Sequence, residues 1–512
     1  MKTLVVVHDL SKALKIEGVQ VDTSYLRMNL IDAIVNLSKK YSDFHVAWIH
    51  KNYCDQVNYD FLIHGEMFQP ELWSFAPEKM DYIPSEIGLV DQSVFINVSK
   101  RVKYPTWIMS SIVGKIAPNG FRDIELEGLN KMNFDFFLNL FAKQNMPLGL
   151  KCYSQPQLLK NNHYSEKPGN MKAVDLFNFV YLGYKPIWSY LMAFHFFISL
   201  KSEFFGFLGF LIVKRKKVDF RRFDWVTKTK NEIHNTKNES IDVLIPTLGR
   251  PEYLKNFLND LRNQSLIPKR IIIIEQRPLG AKTELNYLKE ESWPFEIIHH
   301  CIHQFGACNA RNIGLKEVES KWLFLADDDI SIEGDFIEQG LNKLKSLNSD
   351  VGVFQVIEKR GIEKNENWQW GAFGSGCSLV KTDAIKDTFF DIRFEFGFGE
   401  DSDFGMQLRN NGHDILYFSA PSIFHHKAPI GGFRQEIIKP WDTDKIIPRP
   451  SPTVMLFNLL HQTSWQRIGY RYIFFLKNLR KKSVLGVLTY LINFNARWQR
   501  SVYWGQKLEE SA

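Results

Sequence analysis

Three consecutive carboxylates, Asp327, Asp328 and Asp329, stand at the end of a short apolar run, Trp322-Leu323-Phe324-Leu325-Ala326. Ionised carboxylates disfavour one another, so three cannot share a core uncompensated. Either all of them face water, or a hard divalent cation gathers at least two; such a cation also supplies charge able to hold a diphosphate. Asp327 and Asp329 are two apart, and a sharp turn at a strand end aims both toward one ion while Asp328 points elsewhere. A second acidic pair, Glu400-Asp401, follows Gly397 and Gly399 in FEFGFGED. Those glycines permit a close approach, and the pair starts a helix whose amino-terminal dipole favours carboxylates.

Groups of this kind need a scaffold of strand ends. IDVLIPTLGRP (241–251) is an apolar strand ending in Pro246, Thr247 and Gly249 with Arg250 beside it, and the helical pattern EYLKNFLNDLRNQ follows. IIIIEQR (271–277) is a near-continuous apolar run of the kind buried in a parallel sheet, and GACNARNIGLKEV opens another helix before the acidic strand. The order is that of an open α/β layout, whose ligands bind at the carboxyl ends of strands, where Thr247, Arg250, Glu275 and Asp327 all fall.

An Ile-Pro-Thr strand end followed by Arg250, an Ala-Arg-Asn helix start, an apolar strand into three aspartates and a downstream GFGED together resemble the catalytic domain of a family 2 glycosyltransferase of the GT-A fold, over roughly residues 240–430. The resemblance implies a mixed, mostly parallel sheet that binds a nucleotide sugar. It also implies transfer of the sugar, UDP-linked, to a hydroxyl of a glycan or lipid-linked acceptor with inversion, through Mn²⁺ or Mg²⁺, in cell-surface polysaccharide synthesis. A nucleotidyl-transferring or non-catalytic nucleotide-sugar-binding protein of the same architecture is the alternative. The acidic pair separates the two, because transfer to a phosphate has little use for a base that deprotonates an alcohol.

The resemblance makes Asp401 the general base and leaves Glu400 to bind acceptor hydroxyls. Asp327 and Asp329 become metal ligands, joined by a histidine after the base, His425 in preference to its neighbour His426. Pro246, Thr247 and Arg250 fall on the nucleotide, although Thr247 could equally cap the next helix. Glu275 stands where an acidic residue touches uracil or ribose, and Gln276 could share that task. Gly306 and Ala307 keep the backbone approachable, with Arg311 beside the base. Glycines 371, 374 and 376 leave backbone bare, Gly374 against the donor, where Trp368 or Trp370 either stacks on a sugar ring or packs in a core. KAPIGGFR (427–434) is expected to close over nucleotide, with Lys427 or Arg434 on phosphate and Gly431 and Gly432 as hinge.

The remaining chain divides into an amino-terminal α/β domain (1–165), an apolar and basic helical connector (166–238), the catalytic domain (239–440) and a basic amphipathic tail (441–512). LVVV before His8 and Asp9 reads as a first strand, not a signal peptide. TSYLRMNLIDAIVNLSKKY (23–41) and FHVAWIH (44–50) match the order of PEYLKNFLNDLRNQ and RIIIIEQ, and YPTWIMSSIVGK (104–115) resembles WGAFGSGCSLVK (370–381). The first domain is therefore either a degenerate copy of the catalytic fold or an unrelated α/β domain with ordinary spacing. It has no acidic strand end of the Asp327–Asp329 kind and no GED, so it is not expected to turn over a sugar nucleotide. FDFFLNLFAKQNMPLGLKCYS (134–154) is a buried helix and turn in which Cys152 packs.

Residues 187–217 are the most apolar stretch, broken by Lys201, Ser202 and Glu203 into two segments each too short to cross a bilayer. They read as interfacial helices followed by Lys214–Lys217, Arg221 and Arg222 facing anionic headgroups, or as a hairpin buried between domains. The tail interleaves arginine, lysine, tryptophan and tyrosine with aliphatics, again as at a membrane surface; no recognition module for nucleic acid precedes it. Lys and Arg total 64 against 57 Asp and Glu, and the five cysteines are odd in number and lack metal spacing, which favours a reducing compartment. The expected location is cytoplasmic, attached peripherally to the inner face of the cell membrane.

Overall fold

The computed structural model describes residues 2–511 except 68–69, 128, 130–131, 161–168, 214–217, 223–224, 226–235, 237, 358–366, 429–437 and 481–483. The expected basic residues Lys214–Lys217, the hinge Gly431 and Gly432, Arg434 and most of the polar linker before Ile241 lie outside the described residues. The chain forms two compact units, one of residues 1–228 with 463–470, the other of residues 229–462 with 471–512.

The first unit runs β1 (Thr3–His8), β2 (Ala13–Glu17), α1 (Leu30–Lys40), β3 (His45–His50), α2 (Tyr59–His64), β4 (Glu71–Phe75), β5 (Tyr104–Pro105), β6 (Val113–Ile116), α3 (Phe134–Asn145) and β7 (Lys151–Ser154). Its sheet has the order β2-β1-β3-β6-β4-β7-β5. Strands β1 and β3 are buried along their whole length, as apolar runs covered on both faces should be. Asn133 caps α3 by accepting from the N–H groups of Asp135 and Phe136. Three more helices follow, α4 (Ala173–Gly183), α5 (Ile187–Ile198) and α6 (Phe204–Ile212). The break expected at Lys201–Glu203 separates α5 from α6. At 12 and 9 residues they are about 18 and 14 Å long, against about 30 Å of hydrocarbon. No described helix is long and apolar enough to cross a membrane.

The second unit runs β8 (Ile241–Thr247), α7 (Pro251–Arg262), β9 (Arg270–Gln276), α8 (Tyr287–Glu290), β10 (Glu296–Ile302), α9 (Ala307–Leu315), β11 (Trp322–Ala326), β12 (Ile330–Ile332), α10 (Phe336–Ser346), β13 (Val351–Ile357), β14 (Asn367–Gln369), β15 (Cys377–Lys381), α11 (Glu400–Asn410) and β16 (Ile415–His425). The sheet order is β10-β9-β8-β11-β15-β13-β16-β12, with β14 on β16. The fold is α/β with mixed sheets, but "mostly parallel" overstates it: parallel pairing is confined to β10-β9-β8-β11 and to β13-β16. The rest is antiparallel: among the described residues the chain between β13 and β15 holds only the strand β14, and a parallel return needs a crossover. At the far end of the central strands, Asp242 is fully buried yet satisfied. Arg270 pairs with it at 2.7 Å, and the Ser320 hydroxyl and N–H and the Glu319 N–H donate to it. A buried charge so paired locks the starts of three strands rather than doing chemistry.

Helices α12 (Pro452–His461), α13 (Ser464–Leu479) and α14 (Val484–Glu509) form the tail. The membrane-surface expectation does not extend to α12, whose Met455 and Leu456 are buried and whose His461 meets Asp403 of α11 at 2.6 Å. On α14, Arg500 and Trp504 also turn inward, donating to Asp444 at 2.6–2.7 Å.

Two sets of six strands share one design. In the first unit β1-β3-β6-β4-β7-β5, and in the second β8-β11-β15-β13-β16-β14, follow the same chain order and the same senses: parallel, antiparallel, antiparallel, parallel, antiparallel. The correspondence is not the one expected from the sequence. The strand β3 answers to β11, not β9, and residues 104–115 answer to 368–379, a slip of two residues, because apolar spacing does not reveal which neighbour a strand pairs with.

Candidate active site

The carboxyl ends of β8, β9 and β11 gather the expected residues. Asp328 is buried and accepts from the Thr247 hydroxyl at 2.6 Å and from Arg250 at 2.7 Å. Burial pushes its carboxyl up to about 6, opposed by the Arg250 guanidinium. Thr247 and Arg250, expected on the nucleotide, anchor the acidic turn, and Arg250 also reaches Asp329 at 3.1 Å. Pro246 is part-buried beside them, opposite Ile274.

Asp329 is the point where separate elements converge. Pairing of β12 with β16 sets Ile330 opposite His425, which brings the His425 ring to 3.2 Å from the Asp329 carboxylate. The Ala428 N–H donates to the same carboxylate at 3.0 Å. His426 points elsewhere, to Ser331 at 3.0 Å. Asp327 is the exposed member of the three, its side chain 42% accessible, and pairs with Arg311 at 3.2 Å. Gly376 lies directly beneath it: an added Cβ would land on the Asp327 carboxylate. Register explains this, since Ala326 sits opposite Cys377.

Among the described residues no group of three His, Cys, Asp or Glu side chains could hold a metal ion. Asp329 and His425 nonetheless offer an adjacent carboxylate and imidazole, donors that suit Mn²⁺, and fit a cation completing its shell from a bound diphosphate. Asp327 is turned to Arg311 and does not join them.

Glu275 lies opposite Thr247 in the sheet, and its buried carboxylate is engaged by Thr283 at 2.6 Å, the Glu284 N–H at 3.1 Å and His299 at 2.9 Å. Gln276 uses its side-chain oxygen on the Gly306 N–H at 2.7 Å, so it shapes the start of α9. Glu395, not singled out from the sequence, caps that helix by accepting from the Cys308 and Asn309 N–H groups. Gly306 has φ 139°, and a Cβ there would strike the Glu395 carboxylate. The signal was present: Glu395 is the second residue of the same FEFGFGED motif. Arg311 is buried with its Nε unpartnered among the described residues.

Asp401 and Glu400 begin α11 after Gly399, whose φ is 118°. Burial raises the pKa of both above the usual carboxylate range; Arg311 opposes this at Asp401, and the Asp401 charge adds to it at Glu400. The Oδ1 atom of Asp401 is buried without a hydrogen-bond partner among the described residues. Behind this loop, Thr453 of α12 accepts from the Phe398 N–H at 3.0 Å. The carbonyl of Gly374 accepts from Ser378 at 2.6 Å. Trp368 and Trp370 pack with Tyr417, ring centroids 5.1 and 4.9 Å apart, each only part-buried.

Fold and site together define an α/β domain with an acidic strand-end turn and a carboxylate pair at a helix start. Residues 242–402 match the family model described as Glycosyl transferase family 2. This segment is a family 2 glycosyltransferase domain; residues 1–241 fall outside the match. Among solved structures, S. aureus TarS is similar over 36% of this chain and 36% of its own, at 17% identity and TM-score 0.30. TarS 1-349 in complex with UDP-GlcNAc is similar over 43% of this chain and 66% of its own, at 18% identity and TM-score 0.35. GalNAc-T7 with UDP, GalNAc and Mn2+ is similar over 36% and 44%, at 12% identity and TM-score 0.32. This chain thus spans about a third of the length of the first of them. No curated protein matches the chain.

Proposed function

We propose that this chain is a metal-dependent inverting glycosyltransferase that moves a sugar from a UDP-linked donor to a hydroxyl of a glycan or lipid-linked acceptor, in cell-surface polysaccharide synthesis. The choice of UDP rests on the sequence resemblance. The observation that carries the reading is the Asp401 carboxylate: buried, raised in pKa, with Oδ1 unengaged, and in the field of the Arg311 that pairs with Asp327. A buried carboxylate with a raised pKa is a stronger base than an exposed one, and it needs an unused oxygen to take a proton.

In this reading Asp401 Oδ1 accepts the proton of the acceptor hydroxyl as that oxygen attacks the anomeric carbon, and Glu400 orients the acceptor. Asp329 and His425 would hold the divalent cation, whose charge, when bound, stabilises the departing diphosphate. Arg311, buried beside Asp327, adds a fixed positive charge at the same end. A panel of UDP, GDP, CDP and dTDP sugars with Mn²⁺ tests the reading, with NMR of the product. Hydrolysis and transfer from none of them, or retention of the anomeric configuration, would overturn it.

We place the protein peripherally at the inner face of the membrane. The support is the set of apolar side chains on α5, α6 and their connection, Phe194, Phe197, Leu200, Phe205 and Ile212, all more than half exposed, of the kind that marks a contact surface. Flotation with anionic vesicles should recover the wild type, and Phe194→Ser with Phe197→Ser and Phe205→Ser should lose it. Equal recovery of both proteins would refute the assignment.

A further inference from the structure

The shared strand order carries residue equivalences with it. Val46 opposite Ile116 matches Leu323 opposite Val380, and Tyr104 opposite Ser154 matches Trp368 opposite Tyr417. Between these anchors the two chains align without insertion, so Ser111 stands where the second unit has Ser375, and Ile112 where it has Gly376. Asp135 and Asp401 are each the second residue of the helix that follows, α3 and α11.

In the first unit the Ser111 N–H and hydroxyl both donate to Asp135, at 2.7 and 2.8 Å, one to each oxygen. The clasp is closed, and around it the cleft is filled: His8 is fully buried with its ring 5.5 Å from those of His50 and Phe134, and its Nε2 meets the Ser111 carbonyl at 3.0 Å. In the second unit the hydroxyl and N–H of buried Ser375 lie beside Asp401 and lower its pKa, but Oδ1 completes no hydrogen bond among the described residues. A serine set beside this carboxylate in both units belongs to the fold; the buried oxygen left without a hydrogen bond among the described residues is what the second unit adds.

We infer that Ser375 is a positioning residue, which restrains the Asp401 carboxylate on the strand side and keeps Oδ1 clear of competing donors. The inference rests on the reading of Asp401 as the base. Without the serine the carboxylate is free to turn toward Arg311, whose charge it already feels, and an ion pair there would consume the lone pair the reaction needs.

The test compares Ser375→Ala, Ser375→Thr and Ser111→Ala in the full chain. Ser375→Ala should lower kcat by about 10-fold with the donor KM unchanged, the pattern of a misaligned group rather than a lost binding contact. Ser375→Thr, which keeps the hydroxyl, should recover most of that loss. Ser111→Ala should lower the melting temperature and leave kcat unchanged. Wild-type kcat in Ser375→Ala, or a loss of kcat accompanied by a matching fall in melting temperature and no rescue by threonine, would overturn the inference. Asp401→Asn separates the two levels: if it turns over normally the base assignment fails, whereas an inactive Asp401→Asn beside a normal Ser375→Ala sinks only the role of the serine.

Discussion

The two units build the same six strands and treat the polar ends of those strands in opposite ways. In the first, the positions answering to the acidic turn are His50, Lys51 and Asn52, the position of Gly376 is Ile112, and the carboxylate at the helix start is hydrogen-bonded on both oxygens. In the second, three aspartates crowd one turn, a glycine makes room for Asp327, and Asp401 keeps a buried oxygen without a hydrogen bond among the described residues. One scaffold therefore serves as a packed core when its cleft is filled by aromatic and imidazole rings, and as a candidate catalytic cleft when small residues leave carboxylates underdetermined. The carboxylate at the helix start is the telling contrast: Asp401 Oδ1 is buried without a partner among the described residues, whereas both oxygens of Asp135 are bonded.

The sharpest way to break this comparison is to make the same substitution in both units. Asp401→Asn should reduce turnover by about 10² to 10⁴ with nucleotide binding retained, the range for loss of a positioned base. Asp135→Asn should leave turnover intact and lower the melting temperature, since it removes one acceptor of a buried pair. Steady-state kinetics and scanning calorimetry on both proteins decide; equal kinetic losses would erase the distinction.

Next in size is the acidic turn. Asp329→Asn or His425→Ala should abolish the Mn²⁺ dependence of nucleotide diphosphate binding measured by calorimetry. His426→Ala, one residue away but bonded to Ser331, should leave it unchanged. Loss in His426→Ala instead would reassign the ligand. Gly376→Ala should follow with a turnover reduced by about 10-fold, because its methyl displaces the Asp327 carboxylate from Arg311.

The smallest effect is on stability, and its sign differs between the units. Burial holds His8 down to about 3 and His45 to about 4, so their neutral forms support the fold above the usual histidine range. That support is lost as pH falls below about 6.5, roughly 2 kcal/mol for each by pH 5. Asp328 is raised to about 6, so protonation favours the folded state; its contribution is complete below about 4 and lost as pH rises through 6, about 1 kcal/mol between pH 5 and 7. Taking the protein from pH 7 to pH 5 without metal should lower the melting transition of the first unit and raise that of the second. Two transitions moving together would contradict these assignments.

Local pattern alone determined much of this molecule. The apolar runs of β8, β9 and β11, the stop at Ala326, the helix start at Glu400 and the break between α5 and α6 are all written in short windows, because burial periodicity and glycine geometry act over a few residues. What a side chain touches was decided by pairings between distant segments. Thr247 and Arg250 were turned onto Asp328, about eighty residues on, by the parallel pairing of β8 with β11. His425 was separated from His426 by the antiparallel pairing of β12 with β16, Glu395 was set on the start of α9, and Arg500 and Trp504 were drawn from an expected membrane face onto Asp444. Periodicity fixes the face on which a residue lies; its partner on that face depends on strand register and helix packing, which no short window contains.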